Sequence, residues 1–594
     1  MVKSLWGGNM KEFLRNIKFI WKYSKSEKKR IIAYVLLSIF NIATSILYPF
    51  ISAKIIVNLT NNNIEQFIFM GAVLLSAYLI DNTISYFKSK LYEKIFREIY
   101  VNMQSSLGAE ILKLTNKTLE ENGTGVFIQR LIGDTKNIST IFTDLNNYIN
   151  GIILNIGVLV TYLILSKPMF IFVLIAFAIR LIIEILRVDT YSENDKKYRK
   201  YNDAMTSFVG EIVRGAEDIK MLNGEESFLN ELKNRFRKLN SERYKMENTN
   251  LSYLLARWYW AQMSYFIMIL IIGLSIMNGN MTIAVGVVIF NFGNKYNSLV
   301  QNITGFHELI KKFNVSATRI FDIFENDKYR KENFGDKHLE NIQGNFEFKN
   351  VSFRYDDKNY VLKDLNFSIH SKETVAFVGK SGAGKTTIFN LLCKMYDNYE
   401  GNITIDNIDI KELDKDSIRG NITIVSQNPY IFNTSIRDNF KLVKQDLTDD
   451  EMKEALKMAC LDDYVESLPN KYDTIVGENG ITLSGGEKQR LAIARAFIQK
   501  TKIILFDEAT SALDNETQLK IQQAINNLKN EYTILIIAHR LSTIQNVDRI
   551  LMLDNGHIIA EGTHNELLQN CNQYNKLYHT EIATIDSKEN EYSK

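Results

Sequence analysis

Six apolar runs within the first 302 residues restrict what this chain can fold into. A helix needs about 20 mostly apolar residues to cross the hydrocarbon of a bilayer. The run "IIAYVLLSIFNIATSILYPFISAKIIV" is the clearest of the six, and the last is the weakest because Asn291, Asn294, Lys295, Asn297 and Gln301 interrupt it. The predicted spans are residues 31–56, 65–87, 147–166, 168–187, 251–277 and 281–302.

The connections between the spans predict their orientation. Those near residues 57–64, 166–168 and 278–281 are short, whereas residues 88–146 and 188–250 are long and rich in Lys and Arg. Basic residues concentrate on the cytoplasmic side of membrane proteins. We therefore expect a multi-pass protein of the bacterial plasma membrane with both termini inside. The two long segments are predicted to continue the spanning helices into the cytoplasm as hairpins.

Residues 1–30 carry an amphipathic pattern. Phe13, Leu14, Ile17 and Ile20 recur at helical spacing, with basic residues on the other face. Such a helix typically lies in the membrane surface, and we predict this interfacial position. The alternative is an ordinary amphipathic helix packed on protein.

The second half of the chain reads as soluble protein. Short strands, among them "TVAFVG", "NITIVSQ", "KIILFDEAT" and "TILIIAH", are separated by helical stretches. This alternation predicts an α/β domain with a parallel core sheet. The expected domains are an N-terminal helix (1–30), an α-helical membrane domain (31–325), a linker (326–343), this α/β domain (344–580) and a tail (581–594).

Charge and cysteine content exclude some functions. The formal net charge is only +3, which does not indicate a bulk nucleic-acid role. The three cysteines, Cys393, Cys460 and Cys571, have no metal-binding or disulfide spacing.

A complete phosphate-binding loop lies at residues 379–386. It follows the strand "TVAFV" and opens the helix "TTIFNLLCKMY", which is the context this motif requires. Glycines let backbone N–H groups surround phosphates, and the helix N-terminus favours negative charge. We predict an ATP site in an α/β P-loop domain. Its members are Gly379, Lys380, Ser381, Gly382, Ala383, Gly384, Lys385, Thr386 and Thr387.

The strand "IILFDEAT" supplies the second half of this site. Asp507 emerges at its carboxyl end, where it can hold Mg²⁺, and Glu508 is placed to polarise an attacking water. The alternative, a solvated strand end, is weak when a P-loop lies in the same sheet.

The remaining motifs resemble those of ATP-binding cassette (ABC) transporters. "LSGGEKQRLAIARA" is similar to their signature, "SALD" at 511–514 to the D-loop, and "TIVGENG" at 474–480 to a segment that exporters of the family use to touch the membrane domain. Gln427 matches the Q-loop, His539 the switch histidine and Tyr355 the adenine-stacking aromatic. With six spans, nearly the whole chain resembles an exporter-type half-transporter.

The resemblance implies a role for each of these residues. Glu508, His539 and Gln427 would be catalytic; Thr386, Gln427 and Asp507 would organise Mg²⁺; Tyr355 would stack on adenine. Asp514 would span the interface with a second subunit, identical or related. The signature residues Leu483, Ser484, Gly485, Gly486 and Glu487 would bind ATP held by that subunit. Gly123, Gly125 and Asp134 resemble the first coupling region and "EIVRGAEDIKMLNGE" the second, with the hairpin tips docked near Gln427.

The substrate is less constrained. Polar residues in spans often face an interior cavity, so we predict Asp81, Asn82, Asn291, Asn294 and Lys295 as cavity residues. Asn41 and the aromatic residues Tyr253, Trp258, Tyr259 and Trp260 are further candidates, with ordinary helix packing as the alternative. Arg180 and Glu184 lie four residues apart and are expected to pair.

Three functions follow from the resemblance. The first is ATP-driven export of a drug-like, lipid or peptide substrate. The second is import on the same fold, and the third is a membrane ATPase that regulates or senses without transport. The ATPase motifs do not distinguish the direction of movement.

Overall fold

The computed structural model describes residues 2–293, 295–325, 328–340, 342–356, 359–477, 480–508, 513, 515–529, 531–538 and 544–580. Contacts divide the chain into two compact units. The first contains the chain up to Leu112 together with Asn122–Tyr329, and the second contains Lys113–Glu121 and the chain from Arg330 onward. A short segment between the second and third predicted spans therefore belongs to the second unit.

The first unit is helical. Its helices are α1 (Val2–Ser24), α2 (Lys28–Thr60), α3 (Ile64–Ile111), α5 (Thr124–Gln129), α6 (Thr135–Ser139), α7 (Ile141–Leu165), α8 (Lys167–Arg214), α9 (Ala216–Met221), α10 (Glu225–Met277), α11 (Ile283–Phe292) and α12 (Lys295–Glu325), while α4 (Asn116–Asn122) lies almost wholly in the second unit. A π-helical turn, Arg130–Asp134, links α5 to α6.

Within the residues that the structure describes, five helical stretches are long and apolar enough to cross a membrane. They are Met10–Thr60, Ile64–Ile111, Thr124–Leu165, Lys167–Arg214 and Glu225–Met277. α3, α8 and α10 have 48, 48 and 53 residues, so each extends well beyond a span, as the sequence predicts. The sixth predicted span falls on α11, which ends at Phe292, and on the start of α12, which begins at Lys295. That span stays a prediction.

Helix α1 packs on protein along one face. The Phe13 ring meets the Phe313 ring edge-on at 5.5 Å, and Asn16 Nδ2 donates to Asn314 Oδ1 at 3.3 Å. Phe13, Asn16 and Ile20 are buried, whereas Leu14 is 61% exposed. The alternative considered for this helix, packing on protein, is thus observed for one face, and its position in the membrane surface stays a prediction.

The second unit is built on three sheets. Its strands are β1 (Phe346–Phe353), β2 (Leu362–Ile369), β3 (Thr374–Val378), β4 (Tyr399–Ile405), β5 (Ile408–Asp409), β6 (Ile422–Val425), β7 (Thr434–Ser435), β8 (Ile475–Val476), β9 (Ile503–Asp507), β10 (Thr533–Ile537), β11 (Arg549–Asp554) and β12 (His557–Gly562). Strands β11, β3, β10, β9 and β6 pair in parallel in that order, with β12 antiparallel at one edge. The predicted parallel core sheet is confirmed.

An antiparallel sheet of order β2-β1-β4-β5 packs beside the parallel sheet, and β7 pairs with β8. The helices of this unit are α13 (Lys385–Leu392), α14 (Lys415–Arg419), α15 (Ile436–Lys441), α16 (Asp449–Met458), α17 (Asp462–Ser467), α18 (Gly485–Gln499), α19 (Asn515–Asn527) and α20 (His564–Asn570). Strands β3 and β9 are buried at every residue. Their carboxyl ends are therefore held rigidly by the core.

Candidate functional site

The order of the parallel strands assembles the site. The P-loop follows β3, Asp507 ends β9, and Gln427 lies two residues beyond β6. Strand β10 lies between β3 and β9, and β6 pairs with the other side of β9. Because the carboxyl ends of parallel strands meet at one edge, residues far apart in sequence are brought to one crevice.

The P-loop itself is a tight turn that only glycines allow. Gly382 and Gly384 have φ of +82° and +102°, a region that side chains disfavour. A Cβ on Gly384 would also lie 2.5 Å from the Leu362 side chain. The residues from Gly379 to Gly384, including Lys380, Ser381 and Ala383, thus form the turn between β3 and α13, with Thr386 and Thr387 in the first turn of that helix.

Lys385 closes this turn with its own side chain. Its Nζ donates to the carbonyl oxygens of Gly379 at 2.8 Å and Lys380 at 3.1 Å. Burial lowers the pKa of the Lys385 ammonium, while the nearby carboxylates of Glu508 and Asp507 raise it. The arrangement presents a partly desolvated cation to a crevice edged by backbone N–H groups, which suits a polyphosphate.

Thr386 and Asp507 connect the P-loop to β9. The Thr386 hydroxyl donates to Asp507 Oδ1 at 3.3 Å. These are oxygen ligands of the kind Mg²⁺ prefers, and Mg²⁺ is usually bound by one or two carboxylates together with substrate phosphates. The donor set therefore fits Mg²⁺. In line with this, the described residues contain no group of three His, Cys, Asp or Glu that would hold a metal by itself.

Gln427 and Glu508 meet across the neighbouring strands. Gln427 Nε2 donates to Glu508 Oε2 at 2.5 Å. Glu508 has φ of +50°, a left-handed conformation that is uncommon for a non-glycine residue and often marks a functional position. The structure thus brings together the two predicted groups that would orient and activate water.

Gln489 is a residue of this site that the sequence analysis missed. It is fully buried on α18, and its Nε2 donates to the carbonyl oxygens of Glu508 at 3.2 Å and Gln427 at 3.5 Å. One amide group therefore ties α18 to the ends of both β9 and β6. The only signal in the sequence is its place inside the motif "LSGGEKQRLAIARA".

Ser484 starts α18 with a capping box. Its Oγ accepts from the backbone N–H of Glu487 at 3.2 Å, and the Glu487 carboxylate accepts from the N–H of Ser484 at 2.7 Å. This reciprocal pair fixes the helix N-terminus. Leu483 is buried beneath it, and Gly485 and Gly486 form the first turn. The Glu487 carboxylate thus has a structural partner in addition to its predicted contact in trans.

Tyr355 lies beside the P-loop helix. Its hydroxyl is 3.0 Å from Thr387 Oγ1, and its ring meets that of Tyr396 edge-on at 5.1 Å. Burial raises the pKa of Tyr396 to about 12, so this phenol stays neutral. Tyr355 and Tyr396 thus form an aromatic surface at the position predicted for adenine stacking.

The segment Lys113–Glu121 reaches this same region of the second unit. Lys117 Nζ donates to the carbonyl oxygen of Tyr355 at 3.2 Å. The backbone N–H of Thr115 donates to the Arg330 carbonyl at 3.0 Å, and that of Glu332 to the Lys113 carbonyl at 2.8 Å. These contacts lie beside Tyr355, whereas the sequence analysis placed the hairpin tips near Gln427; that docking stays a prediction.

The described residues do not include every predicted site residue. His539 and Asp514 lie outside the described residues, as does Asn294 of the candidate cavity. Asn291 Nδ2 donates to the Val287 carbonyl of its own helix at 2.9 Å, and Lys295 begins α12. Asn82 is exposed, while Asp81 accepts from Asn41 Nδ2 at 3.1 Å.

The predicted Arg180–Glu184 pair forms at 2.8 Å and is part of a larger cluster. Arg187 and Arg257 also approach the Glu184 carboxylate, at 2.7 and 3.5 Å. Among the aromatic candidates, Trp260 Nε1 donates to the Ala176 carbonyl at 3.2 Å, which supports helix packing. Exposed aromatics at Trp258 and Tyr259 keep the cavity hypothesis open.

Comparisons with known proteins agree with both units. The family model described as ABC transporter transmembrane region matches residues 31–294, and that described as ABC transporter matches residues 362–511. Two ABC transporter ATP-binding proteins of Bacillus subtilis (strain 168) are similar over most of their length. YwjA is 30% identical over 525 residues, covering 86% of this chain and 89% of the relative. YfiC is 28% identical over 565 residues, covering 95% and 94%.

A Staphylococcus aureus (strain NCTC 8325 / PS 47) protein named "Putative multidrug export ATP-binding/permease protein" is 45% identical over 260 residues, which is 44% of this chain and 45% of the relative. Among solved structures, a bacterial Atm1-family ABC exporter with ATP bound has a TM-score of 0.77 at 24% identity, covering 93% of this chain and 98% of that one. At this identity the likeness concerns the fold.

Proposed function

The chain belongs to the ABC transporter family, with a transmembrane region and an ATP-binding domain in one polypeptide, and we propose that it is a half-transporter that exports a small or amphipathic molecule at the expense of ATP. Drugs, lipids and peptides are the substrate classes considered. The family establishes an ATPase domain joined to a membrane domain; the export direction, the substrate and the pairing with a second subunit are the proposal.

One observation carries the proposal that hydrolysis is coupled to the spans. Lys113–Glu121 is continuous in sequence with the spanning helix α3, yet it is part of the ATPase unit and bonds to Tyr355 through Lys117. Any movement of Tyr355 on binding adenine would therefore pull directly on the end of α3.

Each side chain of the crevice has a separate proposed role in ATP hydrolysis. Lys385 and the P-loop N–H groups would neutralise phosphate charge, and Glu508, oriented by Gln427, would hold and polarise the attacking water. Thr386 and Asp507 would hold Mg²⁺, which neutralises charge on the phosphates when bound. His539 would contact the γ-phosphate.

A second subunit would complete the site. The N-terminus of α18, fixed by the Ser484–Glu487 capping box, offers unpaired N–H groups and a positive dipole end to an anion. In the proposal, ATP on the P-loop of one subunit meets this helix end of the other, and Asp514 lies at the interface. Binding then joins the two ATPase domains, and hydrolysis separates them. The partner is a second copy of this chain or a related one.

Transport into everted membrane vesicles tests the proposal. Vesicles containing the full-length protein would be given a fluorescent short-chain lipid or an amphipathic dye, with and without ATP. Export predicts ATP-dependent accumulation inside the vesicles, and the Glu508→Gln variant should not accumulate the probe. Depletion from preloaded vesicles would instead support import, while ATP hydrolysis that the probes stimulate without net movement would support a regulatory membrane ATPase.

A further inference from the structure

Asp81 on the second predicted span is a carboxylate that forms no direct ion pair. Its Oδ1 accepts from Asn41 Nδ2 at 3.1 Å and from the Thr44 hydroxyl at 2.9 Å. Both donors are neutral, and no Lys, Arg or His in the described part of the chain forms an ion pair with it. Lys88, two turns along α3, is close enough for its charge to attract Asp81, but its Nζ lies 5.1 Å from the Tyr34 ring centre and makes no ion pair with the carboxylate.

Glu184 differs from Asp81 because it forms direct ion pairs. Glu184 also lies within a spanning helix, but three guanidinium groups neutralise it, at 2.7 to 3.5 Å. Uncompensated charge is expensive at membrane depth, and acidic residues that persist there mark ligand or ion pathways by default. Asp81 instead receives hydrogen bonds from neutral donors, and Lys88 attracts its carboxylate without an ion pair being formed, so the carboxylate can still take a cation in direct contact.

Two aromatic rings and a free amide oxygen lie near Asp81. Tyr48 lies one turn from Thr44 on α2, Tyr78 lies three residues before Asp81 on α3, and their ring centres are 4.6 Å apart. Residues at these spacings share a helix face. Asn41 Oδ1, on the amide that contacts Asp81, is buried and accepts no hydrogen bond. A carboxylate, an unused amide oxygen and two aromatic rings are therefore gathered at one place.

We propose that Asp81, Asn41, Tyr48 and Tyr78 form a recognition site for an organic cation, such as an amphipathic molecule bearing an ammonium or phosphonium group. The charge pairs with Asp81, the aromatic faces add cation–π attraction, and an N–H donor would use Asn41 Oδ1. Tyr78 is 45% exposed, so the site is open on one side. The inference rests on the proposed function, because it names the class of substrate that such an exporter would select.

Equilibrium dialysis of the full-length protein in lipid nanodiscs tests the site without ATP. The probes are tetraphenylphosphonium and tetraphenylborate, which have nearly the same shape and opposite charge, with empty nanodiscs as the background. Asp81→Asn removes the charge but keeps an oxygen that accepts both hydrogen bonds, so it is expected to bind tetraphenylphosphonium at least about tenfold more weakly. Tetraphenylborate binding should not weaken.

Two further variants keep the test decisive. Asp81→Asn combined with Asn82→Asp keeps the net charge but moves the carboxylate about 100° around the helix, and it should not restore binding. Tyr78→Leu keeps the carboxylate and should weaken binding several-fold. The proposal is overturned if the wild-type protein binds the two probes alike, or if Asp81→Asn binds tetraphenylphosphonium as tightly as the wild type does.

The outcome is separable from that of the export proposal. Charge-dependent binding in nanodiscs together with no ATP-dependent accumulation of any probe in vesicles would support the site and contradict export. The opposite result is also possible: another probe accumulates in vesicles, while tetraphenylphosphonium binds equally well to the wild type and to Asp81→Asn. That result would support export and overturn the site.

Discussion

The side-chain amide of Gln489 donates to the backbone carbonyl of Glu508 at 3.2 Å. This bond joins α18, the helix that contains most of the signature motif, to the residue proposed to polarise water. Glu508 has φ of +50°, a backbone conformation that non-glycine residues disfavour. The hydrogen bond from Gln489 can stabilise Glu508 in this conformation. Gln489 is accordingly interpreted as a positioning residue.

We expect Gln489→Met, which keeps the length but loses the donor, to lower kcat for ATP hydrolysis about tenfold and to change KM for ATP little. Losing a buried hydrogen bond that leaves an acceptor unpaired costs about 1–3 kcal/mol, and here the cost falls on the alignment of Glu508. Gln499→Met is the matched control, since Gln499 lies on the same helix and bonds Thr423 instead. An unchanged kcat for Gln489→Met would contradict the positioning role.

Glu508→Gln is expected to bind ATP yet hydrolyse it about 10²- to 10⁴-fold more slowly, the range for loss of a general base. Steady-state phosphate release and binding of a fluorescent ATP analogue measure the two properties separately. Glu516→Gln makes the same chemical change at an exposed position that pairs with Lys520, and it should retain wild-type turnover. Near-normal turnover in Glu508→Gln would refute the assignment.

Lys117→Met is expected to uncouple transport from hydrolysis. It removes the bond to the Tyr355 carbonyl, worth about 1 kcal/mol, so the amount of probe moved per ATP hydrolysed should fall roughly fivefold. Lys136→Met is the control, because Lys136 is exposed on the same connection between the second and third predicted spans. The idea would be abandoned if both variants kept the wild-type ratio of transport to hydrolysis.

Burial raises the pKa of the Cys393 thiol to about 12. Thiolate, the form that maleimides attack, is therefore scarce at pH 8, and mass spectrometry should find Cys571 labelled before Cys393. Since the unfolded thiol ionises near its ordinary pKa of 9.0 and the folded one near 12, the stability that Cys393 contributes is complete below pH 9 and falls as pH rises through this window. Rapid labelling of Cys393 in folded protein would be inconsistent with its burial.

Most residues of the proposed ATP site could be named from the sequence because the parts of this site are local in sequence. The P-loop and the Asp507–Glu508 pair each directly follow an apolar strand in the sequence. The sequence pattern is therefore enough to place both at the carboxyl edge of a sheet. Gln489 was not predictable, since its importance comes from the packing of α18 against the ends of β9 and β6.

Other features that the sequence analysis did not predict depend on contacts between residues far apart in the sequence. The bond between Lys117 and Tyr355 joins residues 238 positions apart, and no local pattern indicates it. Asp81 was named from its charge alone; its partners on α2 depend on the register in which two antiparallel helices pack. The end of α11 at Phe292 falls where Asn291 and Lys295 already interrupt the sixth predicted span, although the sequence analysis did not place a helix end there.

The unbroken course of α10 has a mechanical consequence. Its 53 residues make a rod of about 80 Å, of which only about 30 Å fits within hydrocarbon. Tilting such a rod by about 10° around one end sweeps the other end through about 14 Å, as far as a substrate-sized molecule is wide. A small change in tilt at one end of α10 is therefore enough, by geometry alone, to displace its other end by a large distance.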